Sequence, residues 1–143
     1  MEEESSYKKR EEGRQNTELL VDAVKDNDKK KIIEIFELYD NIDINFHGYC
    51  GPAGPGKPFT TPLSEAIDNG NYEIAKILLD NGADPNDYAS YYDMTILQYA
   101  YEYKNDFEFI ELLLDYGANS YSLIDVITDS LDYKILKKIG YLV

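Results

Sequence analysis

Residues 61–86 read TPLSEAIDNGNYEIAKILLDNGADPN, and this stretch decides the fold. Thr61 can cap a helix with its side chain, and Pro62 then lies at the first helical position, where its missing N–H leaves no hydrogen bond unmade. Apolar residues recur at helical spacing on both sides of a break at residues 69–71. Gly82 is placed to end the second helix in the left-handed conformation. The stretch therefore predicts two short amphipathic helices joined by a turn.

The same pattern returns 34 residues later, where TILQYA occupies residues 95–100 and the copy closes with FIELLLDYGAN. The closing glycines, Gly82 and Gly117, are 35 residues apart, so the second copy is one residue longer. Because turns tolerate insertions better than helices do, the extra residue is expected in the turn at residues 103–106.

Two weaker copies flank this pair: LLVDAV with IIEIF before it, and SLIDVI with DYKIL after it. One helix pair cannot bury both of its apolar faces, whereas stacked copies can, and the end copies become atypical where they meet water. The sequence therefore predicts an all-α solenoid of about four helix-turn-helix units, at about residues 17–45, 61–87, 95–120 and 122–143. Residues 1–16 are almost wholly polar and are expected to form a tail or an extra helix ahead of this repeat domain, residues 17–143.

The stretch GPAGPGKP, residues 51–58, fits the start of a phosphate-binding loop, G-x-x-x-x-G-K. Such a loop needs backbone N–H groups aimed at the phosphates and a Ser or Thr after the lysine for magnesium. Here Pro52, Pro55 and Pro58 remove three of those N–H groups, and Pro58 also takes the Ser/Thr position. The stretch is better interpreted as part of a long Gly/Pro finger at residues 46–60, between the first two repeats.

His47 and Cys50 are the only histidine and the only cysteine in the chain. A zinc site needs three or four protein ligands, and a Cys–His nucleophile pair needs a third group to orient it. The finger supplies neither, and the many carboxylates are expected to form a solvated acidic face. No catalytic residue, metal ligand or cofactor site is therefore predicted, and we expect the protein not to be an enzyme.

The chain carries a net charge of −14, from 14 basic against 28 acidic side chains, and residues 61–120 hold 12 of the acids and two of the bases. Binding to duplex nucleic acid or to an anionic membrane surface requires clustered Lys and Arg, so both are disfavoured. An electrostatically steered partner is expected to be basic.

One cysteine cannot form an intrachain disulfide, which fits a reducing compartment. No signal-like leader and no apolar run long enough to span a membrane are recognised in the sequence. These features lead us to expect a monomer in the cytoplasm, either of the cell of origin or of a host cell.

The repeats resemble the ankyrin family, whose repeat begins TPLH-x-A and closes with LLL-x-x-GAD-x-N. Residues 61–86 carry TPL and LLDNGADPN at the matching places, residues 95–119 match well, and the flanking copies match weakly. Ser64 and Gln98 replace the usual histidine, which bonds between repeats, so weaker contacts between repeats are expected. The resemblance implies a scaffold that binds proteins.

It also implies where a partner binds, because ankyrin repeats usually touch partners through the finger loops and the ends of the first helices, which line a concave groove. The corresponding residues here are Lys57, Pro58, Thr60, Asp68, Asn69, Tyr91, Tyr92, Met94, Glu102 and Tyr103. Tyrosine is a favoured interface residue because it brings a large area at low entropic cost. The alternative is that the 14 tyrosines reflect only an AT-rich genome. Tyr99, on the apolar stripe of a first helix, is expected in the core.

The sequence thus predicts a non-enzymatic protein-interaction module that binds through its concave face, such as a host-directed effector of an intracellular bacterium or a large virus. The alternative is an acidic inhibitor or immunity protein that covers a basic toxin or nuclease. In addition, the family implies that Asn86, in its LLDNGADPN context, can be hydroxylated by an asparaginyl hydroxylase.

Overall fold

The computed structural model describes residues 2–49, 59–89, 94–130 and 132–140. The predicted contacts Lys57, Pro58, Tyr91 and Tyr92 lie outside these ranges, as does Cys50. The helices of the described residues are α1 (Glu2–Lys25), α2 (Lys29–Leu38), α3 (Pro62–Asp68), α4 (Tyr72–Asp80), α5 (Ile96–Tyr99), α6 (Phe107–Asp115), α7 (Tyr121–Ser130) and α8 (Tyr133–Lys138). The predicted all-α fold of paired helices is confirmed.

A short antiparallel strand pair precedes α3. Its strands are β1 (Gly48–Tyr49) and β2 (Phe59–Thr60), with Gly48 opposite Thr60. They bring together the two ends of the segment predicted as the Gly/Pro finger.

The starts of α3 and α5 use the same capping arrangement. The Thr61 side chain accepts a hydrogen bond from the Ser64 backbone N–H at 3.2 Å, and the Ser64 hydroxyl accepts one from the Thr61 N–H at 3.1 Å. Thr95 and Gln98 repeat the exchange at 3.1 and 2.9 Å. The predicted Thr61 cap is confirmed, and both residues that replace the family histidine complete a capping box.

The turn between α3 and α4 contains Gly70 at φ 71°, where a residue without Cβ avoids strain. Asn71 then caps α4, since its side chain accepts from the Ile74 N–H at 3.1 Å. The Asn71 N–H closes the turn on the Ala66 carbonyl at 3.0 Å.

The longer copy closes the same turn with one more residue. The Asp106 N–H reaches the Ala100 carbonyl at 3.3 Å, and Asn105 takes the left-handed conformation that Gly70 has in the shorter copy. The added residue is absorbed in a π-helical turn, Ala100–Lys104, which continues α5. The expectation of a longer loop at residues 103–106 is corrected to a widened helix end.

The chain divides into two compact units, Met1–Ala83 and Asp84–Val143. In the first unit α1 packs against α2 and α3, and α3 packs against α4. Its core consists of fully buried apolar side chains, which include Leu20, Ala23, Val24, Ile32, Leu63, Ala66, Ile67, Ile74, Ala75 and Leu78.

In the second unit α5 packs against α7 and α6 packs against α8, as expected for neighbouring repeats. Its buried apolar residues include Ile96, Leu97, Ala100, Ile110, Leu112, Leu113, Leu123, Ile127 and Ile135. Lys138 on α8 pairs with Asp115 at 2.7 Å and with Glu111 at 3.4 Å. The hydrogen bond to Asp115 is the main cause that raises the pKa of Lys138.

Residues 2–16 belong to α1 rather than to a separate element. Most of their side chains are exposed, but Gly13 and Asn16 are buried. Asn16 Nδ2 donates to the Asn41 carbonyl at 2.8 Å, and Asn41 Nδ2 donates to the Lys9 carbonyl at 2.6 Å. The Asp43 N–H donates to the Gly13 carbonyl at 3.1 Å, so the segment after α2 is tied to this helix.

None of the helices in the described ranges combines the length with the apolar character that crossing a bilayer requires.

Candidate functional site

The finger of the second unit begins as a short antiparallel stem. Tyr88 pairs with Thr95 across it, and the Ala89 N–H donates to the Met94 carbonyl at 2.9 Å. The Ile96 N–H donates to the Asp87 carbonyl at 2.8 Å and fixes the stem to the start of α5. Met94, opposite Ala89 in the stem, is half-buried, whereas Tyr88 is exposed.

The inner helix of the second unit ends in an aromatic pair. The rings of Tyr99 and Tyr103 stack with their centroids 5.5 Å apart and an interplanar angle of 23°. Tyr103 is 54% exposed, and Glu102 beside it is exposed as well. Lys104 Nζ lies 6.0 Å from the centre of the Tyr99 ring. The predicted contacts Glu102 and Tyr103 therefore lie together on accessible surface.

Tyr99 is not the core residue that the apolar pattern predicts. It is only partly buried, because its ring stacks on exposed Tyr103 instead of entering the interior with Ile96, Leu97 and Ala100. Alignment of the two copies could have found this, because Tyr99 stands where the earlier copy has Glu65, a residue type that rarely enters a core. Tyr88 is exposed on the stem but is not among the predicted contact residues, although it lies only three residues before Tyr91.

The predicted contact residues of the first unit differ in how far they are exposed. Asp68 and Asn69 are exposed at the end of α3, and Asn69 Nδ2 donates to the Val24 carbonyl at 3.2 Å. Thr60 is only 6% exposed, and its hydroxyl is bonded to the Ser64 hydroxyl at 2.7 Å. Thr60 thus supports the capping network of α3 and offers little surface to a partner.

Glu65, which matches Tyr99 in position, lies half-buried on α3. Burial raises the pKa of this carboxyl, Lys25 opposes that effect, and Asp68 adds to it. The charged form is therefore less well solvated than a free carboxylate, and a cation brought close to Glu65 and Asp68 would stabilise it.

Asn86 connects two successive loops of the second unit. Its Oδ1 accepts from the Asn119 N–H at 2.6 Å, and its Nδ2 donates to the Gly117 carbonyl at 3.4 Å. Asn45 makes a similar bond to the Gly82 carbonyl within the first unit, also at 3.4 Å. The closing asparagine of a repeat thus has a structural role, which a sequence motif alone does not reveal.

The described residues contain no group of three or more His, Cys, Asp or Glu side chains that could hold a metal ion. His47 is half-buried ahead of β1, and its predicted companion Cys50 lies outside the described residues.

Comparison with known proteins gives two findings. The family model described as "Ankyrin repeats (3 copies)" matches residues 20–123. The chain is also similar to an ankyrin repeat protein of Acanthamoeba polyphaga mimivirus, with 44% identity over 66 residues. That alignment covers 44% of this chain and 40% of the viral protein, so it spans less than half of either.

Proposed function

The chain belongs to the ankyrin-repeat family, and from this we propose that it is a non-enzymatic module that binds a protein partner through its fingers and the inner ends of its first helices. Members of this family generally serve as interaction modules. The proposed contact residues are Lys57, Pro58, Asp68, Asn69, Tyr91, Tyr92, Met94, Glu102 and Tyr103.

The observation that carries the proposal is the aromatic surface of the second unit. Tyr103 at the end of the inner helix and Tyr88 at the stem of the finger are both more than half exposed. An exposed tyrosine keeps the apolar surface of its ring in contact with water and contributes little to stability. At an interface the same side chain buries a large, rigid area. An exclusively structural role would not require rings at these two positions.

The charge of the chain supports a basic protein as the partner. With 28 acidic against 14 basic side chains, the surface attracts a basic protein and repels nucleic acid and anionic membranes. We propose a monomer that works in the cytoplasm of its own cell or of a host cell.

Two biological roles are compatible with such a module. The similarity to a protein of a giant virus supports a host-directed effector. The net charge of −14 supports the alternative, an acidic inhibitor or immunity protein that covers a basic toxin or nuclease. A toxin gene adjacent to the gene for this chain would favour the inhibitor, and its absence would favour the effector.

The proposed surface is tested by replacing Tyr91, Tyr92 and Tyr103 with alanine together. Wild-type protein recovers its partner by affinity purification and mass spectrometry, and the affinity for that partner is then measured with both forms. Loss of three interface tyrosines is expected to weaken binding at least about tenfold, because each hot-spot side chain contributes on the order of 1 kcal/mol or more.

Tyr121 and Tyr133 provide the matched control, since both are well exposed and neither belongs to the proposed surface. The variant with both replaced by alanine should bind like wild type. Equal binding by wild type and the triple variant would contradict the proposed surface.

We also propose Asn86 as a hydroxylation site. The side chain is exposed, but its amide bonds two neighbouring backbone groups, so an enzyme must first open this loop. Incubation with an asparaginyl hydroxylase is expected to add one oxygen atom at Asn86, faster when Gly117→Val loosens the loop. A peptide map without that mass increase, from the variant as well as from wild type, would contradict the proposal.

A further inference from the structure

We propose that Asn81 is a site of spontaneous modification, at which the side-chain amide is lost and aspartate or isoaspartate forms, and that it reacts ahead of Asn69. The inference is independent of the proposed function, because the reaction needs no partner. It starts from a repeated tripeptide, since Asp-Asn-Gly occurs at residues 68–70 and again at residues 80–82.

The chemistry requires only the chain and water. The backbone nitrogen of Gly82, after giving its proton to the solvent, attacks Cγ of the Asn81 side chain. A bond forms between this nitrogen and Cγ, the Cγ–Nδ2 bond breaks, and the leaving nitrogen takes up a proton and departs as ammonia. Water then opens the resulting cyclic imide at either carbonyl, which gives aspartate or isoaspartate. Glycine favours the attack because it has no Cβ to hinder the approach.

The two Asp-Asn-Gly sites are closely matched in their immediate surroundings. Asn69 and Asn81 are both exposed, and each precedes a glycine with positive φ, 71° at Gly70 and 96° at Gly82. A Cβ added to either glycine would meet no described atom within 4 Å beyond its chain neighbours, so both turns are open to water. Each glycine N–H bonds to a carbonyl of the preceding helix, at 3.0 and 3.2 Å, so both turns must open before the nitrogen can attack.

The turn at Asn69 is held by other parts of the first unit. Asn69 Nδ2 donates to the Val24 carbonyl of α1 at 3.2 Å. Two residues later, Asn71 Nδ2 donates to Asn27 Oδ1 at 3.2 Å, and the same Asn71 side chain caps α4. Rotation of the backbone at Asn69 therefore separates the turn from α1 and disturbs the start of α4.

The turn at Asn81 is held mainly by its own helix. Asn81 Nδ2 donates to the Ile77 carbonyl at 2.8 Å, one turn earlier in α4. The bond from Asn45 Nδ2 to the Gly82 carbonyl is longer, at 3.4 Å. After Gly82 the chain continues as a loop, so rotation here frays the last turn of α4 without moving the start of another helix. Frayed helix ends open at low free energy, and the reaction rate follows the population of the open turn.

The product cannot restore the native turn. The new carboxylate lies at the carboxyl end of α4, where the helix dipole disfavours negative charge, and it has no N–H to donate to Ile77. Isoaspartate also adds one carbon to the backbone before Gly82, whereas the buried Ala83 is fixed by its N–H bond to the Leu78 carbonyl at 3.0 Å. Modification of Asn81 is therefore expected to loosen the last turn of α4.

The test incubates native protein in mildly alkaline buffer and follows both sites over time by tryptic digestion and mass spectrometry. Lys76 lies between the two sites, so they are measured on separate peptides. Loss of the amide is expected to be at least about five times faster at Asn81 than at Asn69, because the rate follows local opening. In urea the two sites should react at rates within about twofold of each other, since the structure that distinguishes them is gone.

Asn27→Gly is the matched variant, because Asn27 has a φ of 53°, which glycine adopts freely, and the substitution removes the side chain that bonds Asn71. It should speed the reaction at Asn69 about two- to threefold, as expected for the loss of one exposed hydrogen bond, and leave Asn81 unchanged. Equal rates at the two sites of the native protein, or no reaction at Asn81 while the protein in urea reacts, would overturn the proposal. Equal acceleration of both sites by Asn27→Gly would overturn it as well, since the turns would then open only with the whole unit.

Discussion

Leu78→Ala is expected to lower the free energy of unfolding by about 3 kcal/mol, within the range of about 2–5 kcal/mol for buried leucines. Leu78 lies on α4 and is fully buried. Its truncation removes apolar contacts and leaves a cavity that the neighbouring helices can fill only in part. The change is measured by chemical denaturation, with the helical circular dichroism signal followed at about 222 nm.

Leu38→Ala is the matched control, since Leu38 belongs to the same unit and is 74% exposed. The same loss of atoms there should change stability by less than about 0.5 kcal/mol. If both variants lost equal stability, the burial assigned to α4 would be wrong. Because the two substitutions are chemically identical, their difference isolates the effect of packing.

The helix pairs could be predicted because several local signals agree. Thr61 and Pro62 mark the start of α3, Gly82 and Gly117 mark where helices end, and apolar stripes lie between. The structure bears out each of these signals, with Gly82 and Gly117 at φ 96° and 93°. Repetition added the decisive information, since one short amphipathic stretch alone would not specify a stacked fold.

The widened end of α5 could not be predicted from the repeat spacing. A residue inserted between Ala100 and Asp106 can extend a loop or widen a helical turn, and both leave the flanking signals unchanged. Asn105 accepts the left-handed conformation of Gly70, which fixes the closing turn and leaves the insertion to the helix. The stacked Tyr99–Tyr103 pair at this helix end could therefore not be predicted from the sequence pattern either.

The candidate site was predictable only in part for a related reason. Family position placed Glu102 and Tyr103 on accessible surface, but it also selected Thr60, which is buried. Whether a small polar side chain faces a partner or its own helix cap depends on one hydroxyl contact, here with Ser64 at 2.7 Å. Such contacts are tertiary information that residue type does not carry.

At the start of the chain, the polarity of the residues also did not show which of them are buried. Asn16 looks like part of a solvated tail, yet it is 5% exposed and donates to the Asn41 carbonyl at 2.8 Å. Thr17 beside it is fully buried and donates to the Asp43 carbonyl at 2.6 Å. The segment after α2 lies outside any helix or strand, so its backbone carbonyls lack regular hydrogen-bond partners. Asn16 and Thr17 supply the donors that water would otherwise provide.

Asn16→Ala is therefore expected to cost about 2 kcal/mol of unfolding free energy, because a partly buried carbonyl loses its donor and water cannot fully replace it. Gln15→Ala is the matched control: its amide side chain occupies the adjacent, exposed position of the same helix, and its loss should change stability by less than about 0.5 kcal/mol.

Hydrogen exchange then distinguishes this anchoring from a general loss of stability. Since Asn41 also donates to the Lys9 carbonyl, releasing the 41–43 segment should speed exchange of the backbone amides of α1 near residues 9–17 more than that of α4. Uniform acceleration in both helices would mean that Asn16 contributes only to global stability. Protection unchanged from wild type would mean that the N-terminal helix holds its place without this bond, through its buried apolar side chains and its remaining bonds to residues 41–43.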